Sequence, residues 1–462
     1  MANQMMQDKA SEMAATQTVP TGYKQTEVGV IPEDWECKHI GELADVVRGG
    51  SPRPAGDARF FNGNFIPWLT VASLTNISLE QMYVVDTATK LTELGSLRSR
   101  VLNEDTLIIS NSGATLGVAK ILKIKCCAND GVAALVNQCL GNKVFLAHYI
   151  NTQTKKLQEQ IATGNGQPNL NTDLIRVIPV PFPREAEQAA IANVLSDTDA
   201  LIAGLEQLIA KKQAIKTAAM QQLLTGRTRL PQFALRSDGT PKGYKTSELG
   251  QIPEDWEIMP LVSIGRTIRG VSYNPNNDLY ISDSSDSIRL FRSNNILNSR
   301  FVFSGLQYVS KNRVSESQKM QLGDILICMA NGSKSLVGKS AIHDLNDGYE
   351  YTFGAFMGVF RLNDASQSKY VYYLMNSARY RCYIDLILAG SSINNLKPSD
   401  IDKLSLAFPD IEEQTAIAAM LSDMDSELAA LEQKLAKARD VKQGMMQQLL
   451  TGRIRLPLEV QA

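Results

Sequence analysis

The twelve residues MQQLLTGRTRLP at 220–231 return almost unchanged as MQQLLTGRIRLP at 446–457. The copies differ at one position and are separated by 226 residues in a chain of 462. An internal match of this length indicates that the chain contains two copies of one structural unit.

Two further segments repeat in step with this one. The stretch IPEDW at 31–35 returns at 252–256, each time after a Gly-Tyr-Lys triplet. PREAEQAAIANVLSDTD, which begins at Pro183, returns as PDIEEQTAIAAMLSDMD from Pro409. The longer stretches between these matched segments resemble each other only faintly. The chain therefore has the order linker, variable domain, helix, linker, variable domain, helix.

The segments after the two prolines have the three- and four-residue apolar spacing of amphipathic helices. The predicted apolar faces consist of Ile191, Leu195, Thr198, Leu201, Leu205, Leu208, Ile215, Ala219 and Leu223, and of Ile417, Leu421, Met424, Leu428, Leu431, Leu435, Val441, Met445 and Leu449. Gly226 and Gly452 follow the two segments as stop signals. A helix of about 40 residues is ~60 Å long, and an apolar face of that length needs a partner.

Two pairings are open to these helices: a coiled coil between two copies of the chain, or a pair within one chain. Chain order favours the second. If the helices are antiparallel, the end of the second helix meets the N-terminal linker, just as the end of the first meets the twin of that linker. We therefore expect an α+β fold, with two mixed α/β domains joined by two long antiparallel helices in a pseudo-two-fold, cyclic-repeat arrangement.

The expected divisions of the chain follow from these repeats. They are a disordered tail at 1–18, a first domain with its linker at 19–183, a first helix at 184–230, a linker and second domain at 231–409, and a second helix with a C-terminal tail at 410–462.

The variable stretches at 36–183 and 257–409 contain short β-type runs broken by Gly, Asn, Ser and Pro. Helical patches are predicted at 145–160 and 369–387. The two stretches carry 14 and 16 Lys+Arg against 12 and 13 Asp+Glu, whereas the whole chain has a net charge of −1. Basic residues thus slightly favour the two domains, a bias that an ordinary solvated surface also produces, and contact with phosphates depends on local clusters of basic residues rather than on net charge.

Loops rich in Arg, Gly, Ser and Asn are the candidate DNA contacts of these domains. Arginine and asparagine read base edges, and serine and threonine reach phosphates or bases. The candidate DNA-binding residues are Arg48, Gly49, Gly50, Ser51, Arg53, Arg59, Asn111, Ser112 and Thr115 in the first domain, and Arg269, Arg292, Asn294, Ser333 and Lys334 in the second.

The sequence predicts no catalytic, cofactor or metal site. Residues 332–340 (GSKSLVGKS) approach a phosphate-binding loop, but five residues rather than four separate the glycines, so a nucleotide-dependent enzyme is only a rival interpretation. Six cysteines without CxxC spacing indicate reduced thiols and a cytoplasmic protein. No run approaches the ~18 apolar residues that cross a bilayer, so no membrane contact is expected. The repeated acids Asp197, Asp199, Asp423 and Asp425 are expected on helix surfaces.

The arrangement resembles the specificity subunit of type I restriction–modification systems. The residues that carry the resemblance are GxIPxDWE at 29–36 and 250–257, the RGGSPRP loop at 48–54, EQxAIAxxLSDxD in both helices, and QQLLTGRxRLP at the end of each unit. The match covers nearly the whole chain beyond residue 18.

The resemblance implies a non-catalytic subunit that binds double-stranded DNA and needs no cofactor. Each domain would read one half of a split target, while the helices set the spacing and dock two modification (methyltransferase) subunits. Two restriction subunits, which are ATP-dependent translocases and nucleases, would join the complex that methylates adenine or cleaves DNA. A stand-alone DNA-binding regulator or scaffold is the alternative.

The resemblance also carries roles to individual residues. It implies partner docking by Glu187, Gln188, Glu413 and Gln414 on the helices. The second domain departs from the loop pattern of the first, because Gly270 is followed by valine rather than by a second glycine.

Overall fold

The computed structural model describes residues 19–78, 80–113, 115–161, 169–390 and 393–457. The tail predicted at 1–18 lies outside the described residues. The chain divides into two compact units, one formed by 1–208 together with 431–462 and the other by 209–430.

The first unit contains one variable domain and its linker. Its strands are β1 (Tyr23–Thr26), β2 (Gly29–Pro32), β3 (Glu36–His39), β4 (Asp45–Arg48), β5 (Phe61–Leu69), β6 (Tyr83–Val84), β7 (Thr89–Leu91), β8 (Arg100–Leu102), β9 (Leu107–Ser110), β10 (Ala119–Leu122), β11 (Cys126–Ala128), β12 (Val132–Val136) and β13 (Pro179–Phe182). Its short helices are α1 (Ile40–Leu43), α2 (Val71–Thr75), α3 (Glu93–Ser96), α4 (Lys143–Ile161) and α5 (Thr172–Arg176). A five-stranded sheet has the order β4-β12-β9-β10-β6 and a four-stranded sheet the order β7-β5-β11-β8.

The second unit contains the other variable domain. Its strands are β14 (Tyr244–Ser247), β15 (Gly250–Pro253), β16 (Glu257–Pro260), β17 (Gly265–Arg269), β18 (Leu279–Tyr280), β19 (Ser287–Phe291), β20 (Ile296–Leu297), β21 (Arg300–Phe301), β22 (Gln307–Ser310), β23 (Ile325–Cys328), β24 (Ser340–Ile342), β25 (Tyr351–Phe353), β26 (Met357–Leu362) and β27 (Ser405–Phe408). The long helices α6 (Glu185–Leu223) and α11 (Ile411–Leu449) each contribute to both units. The other helices of the second unit are α7 (Pro231–Ala234), α8 (Ser368–Leu374), α9 (Ala378–Ala389) and α10 (Pro398–Asp402).

The two domains share one strand topology although their sequences diverge. The order β17-β26-β23-β24 in the second unit matches β4-β12-β9-β10 in the first, and the parallel pair β19–β25 matches the parallel pair β5–β11. The stretches at 107–120 (LIISNSGATLGVAK) and 326–339 (LICMANGSKSLVGK), which are faintly alike in sequence, begin in the corresponding strands β9 and β23. Gly117 donates to the carbonyl of Ser110, and Gly338 donates to that of Cys328, so in each domain a glycine N–H closes the loop after β9 or β23, although the second loop is longer.

The helices α6 and α11, each of 39 residues, are antiparallel within each unit. In the first unit Lys442 Nζ lies 2.6 Å from Asp199 Oδ1, and Arg439 lies 2.5 Å from Glu206. Residue numbers therefore rise along one helix as they fall along the other. The predicted antiparallel pair within one chain is confirmed.

The second unit repeats this pairing with the roles of the helices exchanged. Lys216 Nζ lies 2.5 Å from Asp425 Oδ1, and these residues are the twins of Lys442 and Asp199 in the repeat. Burial raises the pKa of Asp199, which is held against the ammonium of Lys442. The repeated acids at these two positions are thus contacts between helices.

The predicted apolar faces of the long helices need correction. Leu201, Leu208, Ile215 and Val441 are exposed, although the spacing placed them on the buried face. Ile202 is buried instead, in a cluster with Leu205 and Ala438. Each helical residue turns the face by ~100°, so a shift of one position moves a side chain from the seam to solvent.

The helix predicted at 369–387 is also two helices, α8 and α9. Ser377 separates them because its hydroxyl accepts a hydrogen bond from the backbone N–H of Tyr380 and caps α9. A serine in this position satisfies a free donor at a helix start and favours a new helix over a continued one.

Each linker is fastened to its long helix by a tryptophan, a glutamate and an arginine. In the second unit Trp256 Nε1 donates to Glu413 at 3.2 Å. Arg229 donates to Glu413 Oε1 and to Asp255 Oδ1, both at 2.7 Å. The MQQLLTGRTRLP repeat therefore ends by bridging the linker to the start of α11.

In the first unit the same junction joins opposite ends of the chain. Trp35 Nε1 donates to Glu187 at 3.1 Å, while Arg455 donates to Glu187 and to Asp34. The hydrogen bonds from Arg455 lower the pKa of Asp34. Tyr23, near the start of the described chain, donates to the carbonyl of Gly452. The C-terminal repeat thus closes onto the N-terminal linker, as chain order predicts.

Replacement of Arg229 tests this junction. The Glu413 side chain is 1% exposed, so Arg229→Ala leaves a buried carboxylate without its charged partner. Removing one member of a buried pair costs about 3–5 kcal/mol, and we expect a loss of that size in the free energy of unfolding, measured by urea denaturation. Arg227→Ala, an exposed arginine of the same repeat, is the matched control and should change the free energy by less than about 0.5 kcal/mol. Equal losses in the two variants would contradict the assignment.

Candidate nucleic-acid interface

The RGGSPRP loop begins where β4 ends, beside the turn between β11 and β12. Gly49 donates its backbone N–H to the carbonyl of Val132 at 2.8 Å, and Gly50 donates to that of Ala128 at 2.9 Å. The loop therefore rests on the turn at 129–131.

Asp130 in this turn accepts hydrogen bonds from four of the predicted DNA-binding residues. Its carbonyl accepts from Arg48 Nε at 2.7 Å and from Asn111 Nδ2 at 3.1 Å. Its carboxylate accepts from the hydroxyl of Ser51 and from Arg53 at 3.3 Å. Two segments that are far apart in sequence thus meet at one residue that the sequence analysis did not single out.

The carboxylate of Asp130 carries its negative charge at neutral pH, since its pKa lies below the ordinary value for aspartate. Burial works against the charge, but the hydrogen bond from Ser51 and the charges of Arg53 and Arg48 outweigh burial, and the pKa of Asp130 is lowered. The sequence gives no signal for Asp130, because the role of this single acid depends on which loops fold around it.

The other predicted residues of the first domain that carry side chains have partners other than Asp130. Ser112 pairs with Asn169 in an isolated β-bridge, and Thr115 Oγ1 lies 3.0 Å from the hydroxyl of Ser110. Arg59 is exposed and pairs with Asp57, two residues away, and no contact in the described residues joins it to Asp130.

The second domain builds an equivalent surface. Arg269 is the last residue of β17 as Arg48 is of β4, and Gly270 donates to the carbonyl of Met357 as Gly49 does to Val132. The turn at 354–356, between β25 and β26, then corresponds to the turn at 129–131.

Two more loops of the second domain meet at this surface. Asn331 Nδ2 donates to the hydroxyl of Ser293 at 3.1 Å, which brings the loop after β23 to the segment at 292–295. The predicted residues on these loops are Arg292, Asn294, Ser333 and Lys334, of which Asn294, Ser333 and Lys334 are exposed. Arg292 is half-buried, and its backbone N–H donates to Asn295 Oδ1.

Glycine is required at the first of the two loop positions and not at the second. A Cβ on Gly49 would lie 2.1 Å from the carbonyl oxygen of Asn129, and one on Gly270 would lie 2.0 Å from that of Gly354. At Gly50 the nearest atom is 3.9 Å away. The valine that follows Gly270 therefore fits, and the departure of the second domain from the double glycine leaves the backbone path intact.

Alanine substitutions separate these two positions. We expect Gly49→Ala to displace the loop, at a cost of about 1–3 kcal/mol in the free energy of unfolding, because the added methyl group overlaps backbone atoms. Gly270→Ala should cost a similar amount, whereas Gly50→Ala, the matched control, should have little effect. Urea denaturation of the three variants measures this, and equal losses at positions 49 and 50 would show that the close approach is wrong.

The four residues expected to dock partners are buried in their own units. Glu187 and Glu413 hold the linker tryptophans, as described above. Gln188 donates to the carbonyl of Pro183 and accepts from the N–H of Asn142, while Gln414 donates to the carbonyl of Pro409. Because these side chains are turned inward, they offer a partner no direct contact in this structure, and their docking role stays a prediction.

The loop at 332–340 does not present Lys339 to a ligand. Lys339 Nζ donates to the carbonyl of Ile296 at 2.9 Å. Within the described residues no cluster of His, Cys, Asp and Glu could hold a metal ion. Over the same residues, every helix is too short or too polar to pass through a bilayer.

A family model for the type I restriction modification DNA specificity domain matches the chain twice, at 32–216 and at 253–438. These two matches cover well over half of the chain, and the chain belongs to this family. Both matches span a variable domain and most of the long helix that follows it.

Individual relatives agree with the family match. The type I restriction enzyme EcoKI specificity subunit of Escherichia coli (strain K12) is 40% identical over 189 residues, which is 40% of this chain and 40% of that subunit. The alignment thus spans less than half of that relative. The MjaVIII specificity subunit of Methanocaldococcus jannaschii is 22% identical over 431 residues, covering 92% of this chain and 94% of the relative.

A solved structure has the same fold. The crystal structure of the S subunit of a type I restriction–modification system from M. genitalium aligns with a TM-score of 0.56 and 13% identity. The alignment covers 90% of this chain and 96% of that chain. The α+β class with two mixed domains and two long helices, expected from the sequence, is confirmed.

Proposed function

We propose that this chain is the DNA sequence-recognition subunit of a type I restriction–modification complex in the cytoplasm. The domains within 19–183 and 231–409 each read one half of a split, asymmetric target in double-stranded DNA. The chain itself is non-catalytic and needs no cofactor. Two modification subunits supply adenine methylation, and two restriction subunits supply ATP-dependent translocation and cleavage.

The observation that carries the proposal is one backbone framework used twice with different side chains. Both domains place an arginine at the end of a first strand, a glycine against the following turn, and two polar loops beside it. Two such surfaces of unlike composition suit a duplex whose half-sites differ, because base edges are read by side chains and not by the backbone path.

The exposed leucines of α6 are a surface for the modification subunit. Leu201 and Leu208 are seven residues apart, so they lie on one face of the helix, and neither is covered within the first unit. An exposed apolar face on an otherwise paired helix is typical of a protein contact. We place docking there, since the buried Glu187 is engaged with the linker and the buried Gln188 with Pro183 and Asn142.

Aspartate substitutions test this docking face. We expect the double variant Leu201→Asp/Leu208→Asp to stop co-purification with the modification subunit, because a charge cannot be buried unpaired at an interface. Leu174→Asp, an exposed leucine of the first domain, is the matched control and should co-purify normally. Normal recovery of the double variant would place docking elsewhere, with the melting temperature checking that both variants fold.

The methylated sequence tests the proposed function itself. The chain is expressed with its modification subunit in a host that lacks DNA methylation, and modified adenines are mapped by sequencing. We expect one split motif with unlike halves and a fixed spacer. Absence of both a motif and co-purification would instead favour the stand-alone regulator, whereas co-purification without a motif would indicate an inactive or inhibited complex.

Exchange of one domain tests the modular arrangement. Replacing 257–409 with the corresponding domain of another specificity subunit should change one half of the motif and leave the other half and the adenine modification intact. A change in both halves would show that the domains do not read DNA independently.

A further inference from the structure

We propose that the turn at 129–131 and its counterpart at 354–356 determine the base preference of the two half-sites. The first turn acts through a charged side chain and the second through an apolar one. Asp130 is a positioning residue for the arginine and serine of the first domain, and Phe356 gives the second domain an apolar contact with DNA. The inference rests on the proposed function, since it assigns residues within the same two surfaces.

The two turns occupy the same place in the two domains. Each follows a strand that pairs in parallel with a neighbouring strand of its sheet, β11 with β5 and β25 with β19. Each lies within 3 Å of where a Cβ would stand on the preceding loop glycine, Gly49 or Gly270. The backbone of the turn is therefore fixed from two sides, and its side chains are free to differ.

In the first domain the turn carries a charge. The carboxylate of Asp130 is 35% exposed and holds Arg53, whose side chain is 74% exposed. The same carboxylate accepts from Ser51. An arginine held at one nitrogen keeps further N–H donors for a base edge, and guanine is the usual partner of such a fork.

In the second domain the turn has no charged side chain and carries an aromatic ring at the neighbouring position. Ala355 stands where the first domain has Asp130, and Phe356 stands where it has Gly131. The carbonyl of Phe356 accepts from the N–H groups of Met329 and Ala330, which fixes its backbone, yet its side chain is 71% exposed. A phenylalanine this exposed adds little to the core, whereas it can contact a thymine methyl group or a base step.

The experiment compares methylated motifs of the intact complex. Asp130→Ala should relax one or two positions in the half-site of the first domain, with a loss of about 10- to 100-fold in discrimination, and leave the other half unchanged. Asp130→Asn, which keeps an acceptor for Ser51 without the charge, should relax them less. Phe356→Ala should relax only the half-site of the second domain.

Two controls separate base reading from folding. Asp45→Ala removes an exposed aspartate from the opposite end of β4, where it accepts from Asn137. Val262→Ala truncates an exposed apolar residue before β17, at the end remote from Arg269. Both should preserve the wild-type motif, and all variants should keep the wild-type melting temperature.

The outcomes distinguish this inference from the proposed function. A wild-type complex without a split motif overturns both. A normal wild-type motif that Asp130→Ala and Phe356→Ala leave unchanged overturns the inference alone. Uniformly weaker methylation with intact base preference, or relaxation of both half-sites by one substitution, also overturns it, because either result assigns the turns to folding or general affinity.

Discussion

The rest of the structure depends on one buried junction, which each unit builds once. A tryptophan of the linker donates to a glutamate in the first turn of a long helix, and an arginine from the segment that follows the other long helix neutralises that glutamate. A buried carboxylate is costly unless it is paired and hydrogen-bonded, so linker and both helices must assemble together. In the first unit this requirement joins Trp35 to Arg455, which are 420 residues apart, and closes the chain into a cycle.

The junction also explains which parts of the repeat stayed alike. Gly226 and Gly452 have positive φ angles, and a Cβ there would lie 2.4 Å from Pro253 and 2.5 Å from Pro32. Each junction is one packed set of contacting residues, made of this glycine and proline and of the tryptophan, glutamate and arginine. A substitution at one of these positions disturbs its contacts with the others. The domains between the junctions keep only the backbone requirements of their sheets, which many side chains satisfy.

Much of the fold could be predicted from the sequence because the repeat fixes the order of the parts. The two long helices, their antiparallel pairing and the cyclic closure followed from matching segments and apolar period. Most positions of the predicted apolar faces are buried or half-buried, but the period also placed Leu201 in the seam where Ile202 packs. The docking role of the glutamates was inferred from their place in a motif, and only the burial of Glu187 and Glu413 revealed their internal partners.

The sequence by itself determined that the chain is a doubled unit, that its helices pair, and to which family it is similar, because repeats and periodicity are local patterns that survive in one dimension. Only the tertiary structure decided which loop residues meet. Asp130 accepts hydrogen bonds from Arg48 at one strand end and from Asn111 beyond another, and Phe356 lies in the corresponding turn of a domain with little sequence likeness. Such contacts join segments tens of residues apart, and the distance between side chains there is set by sheet order, which no spacing along the chain records.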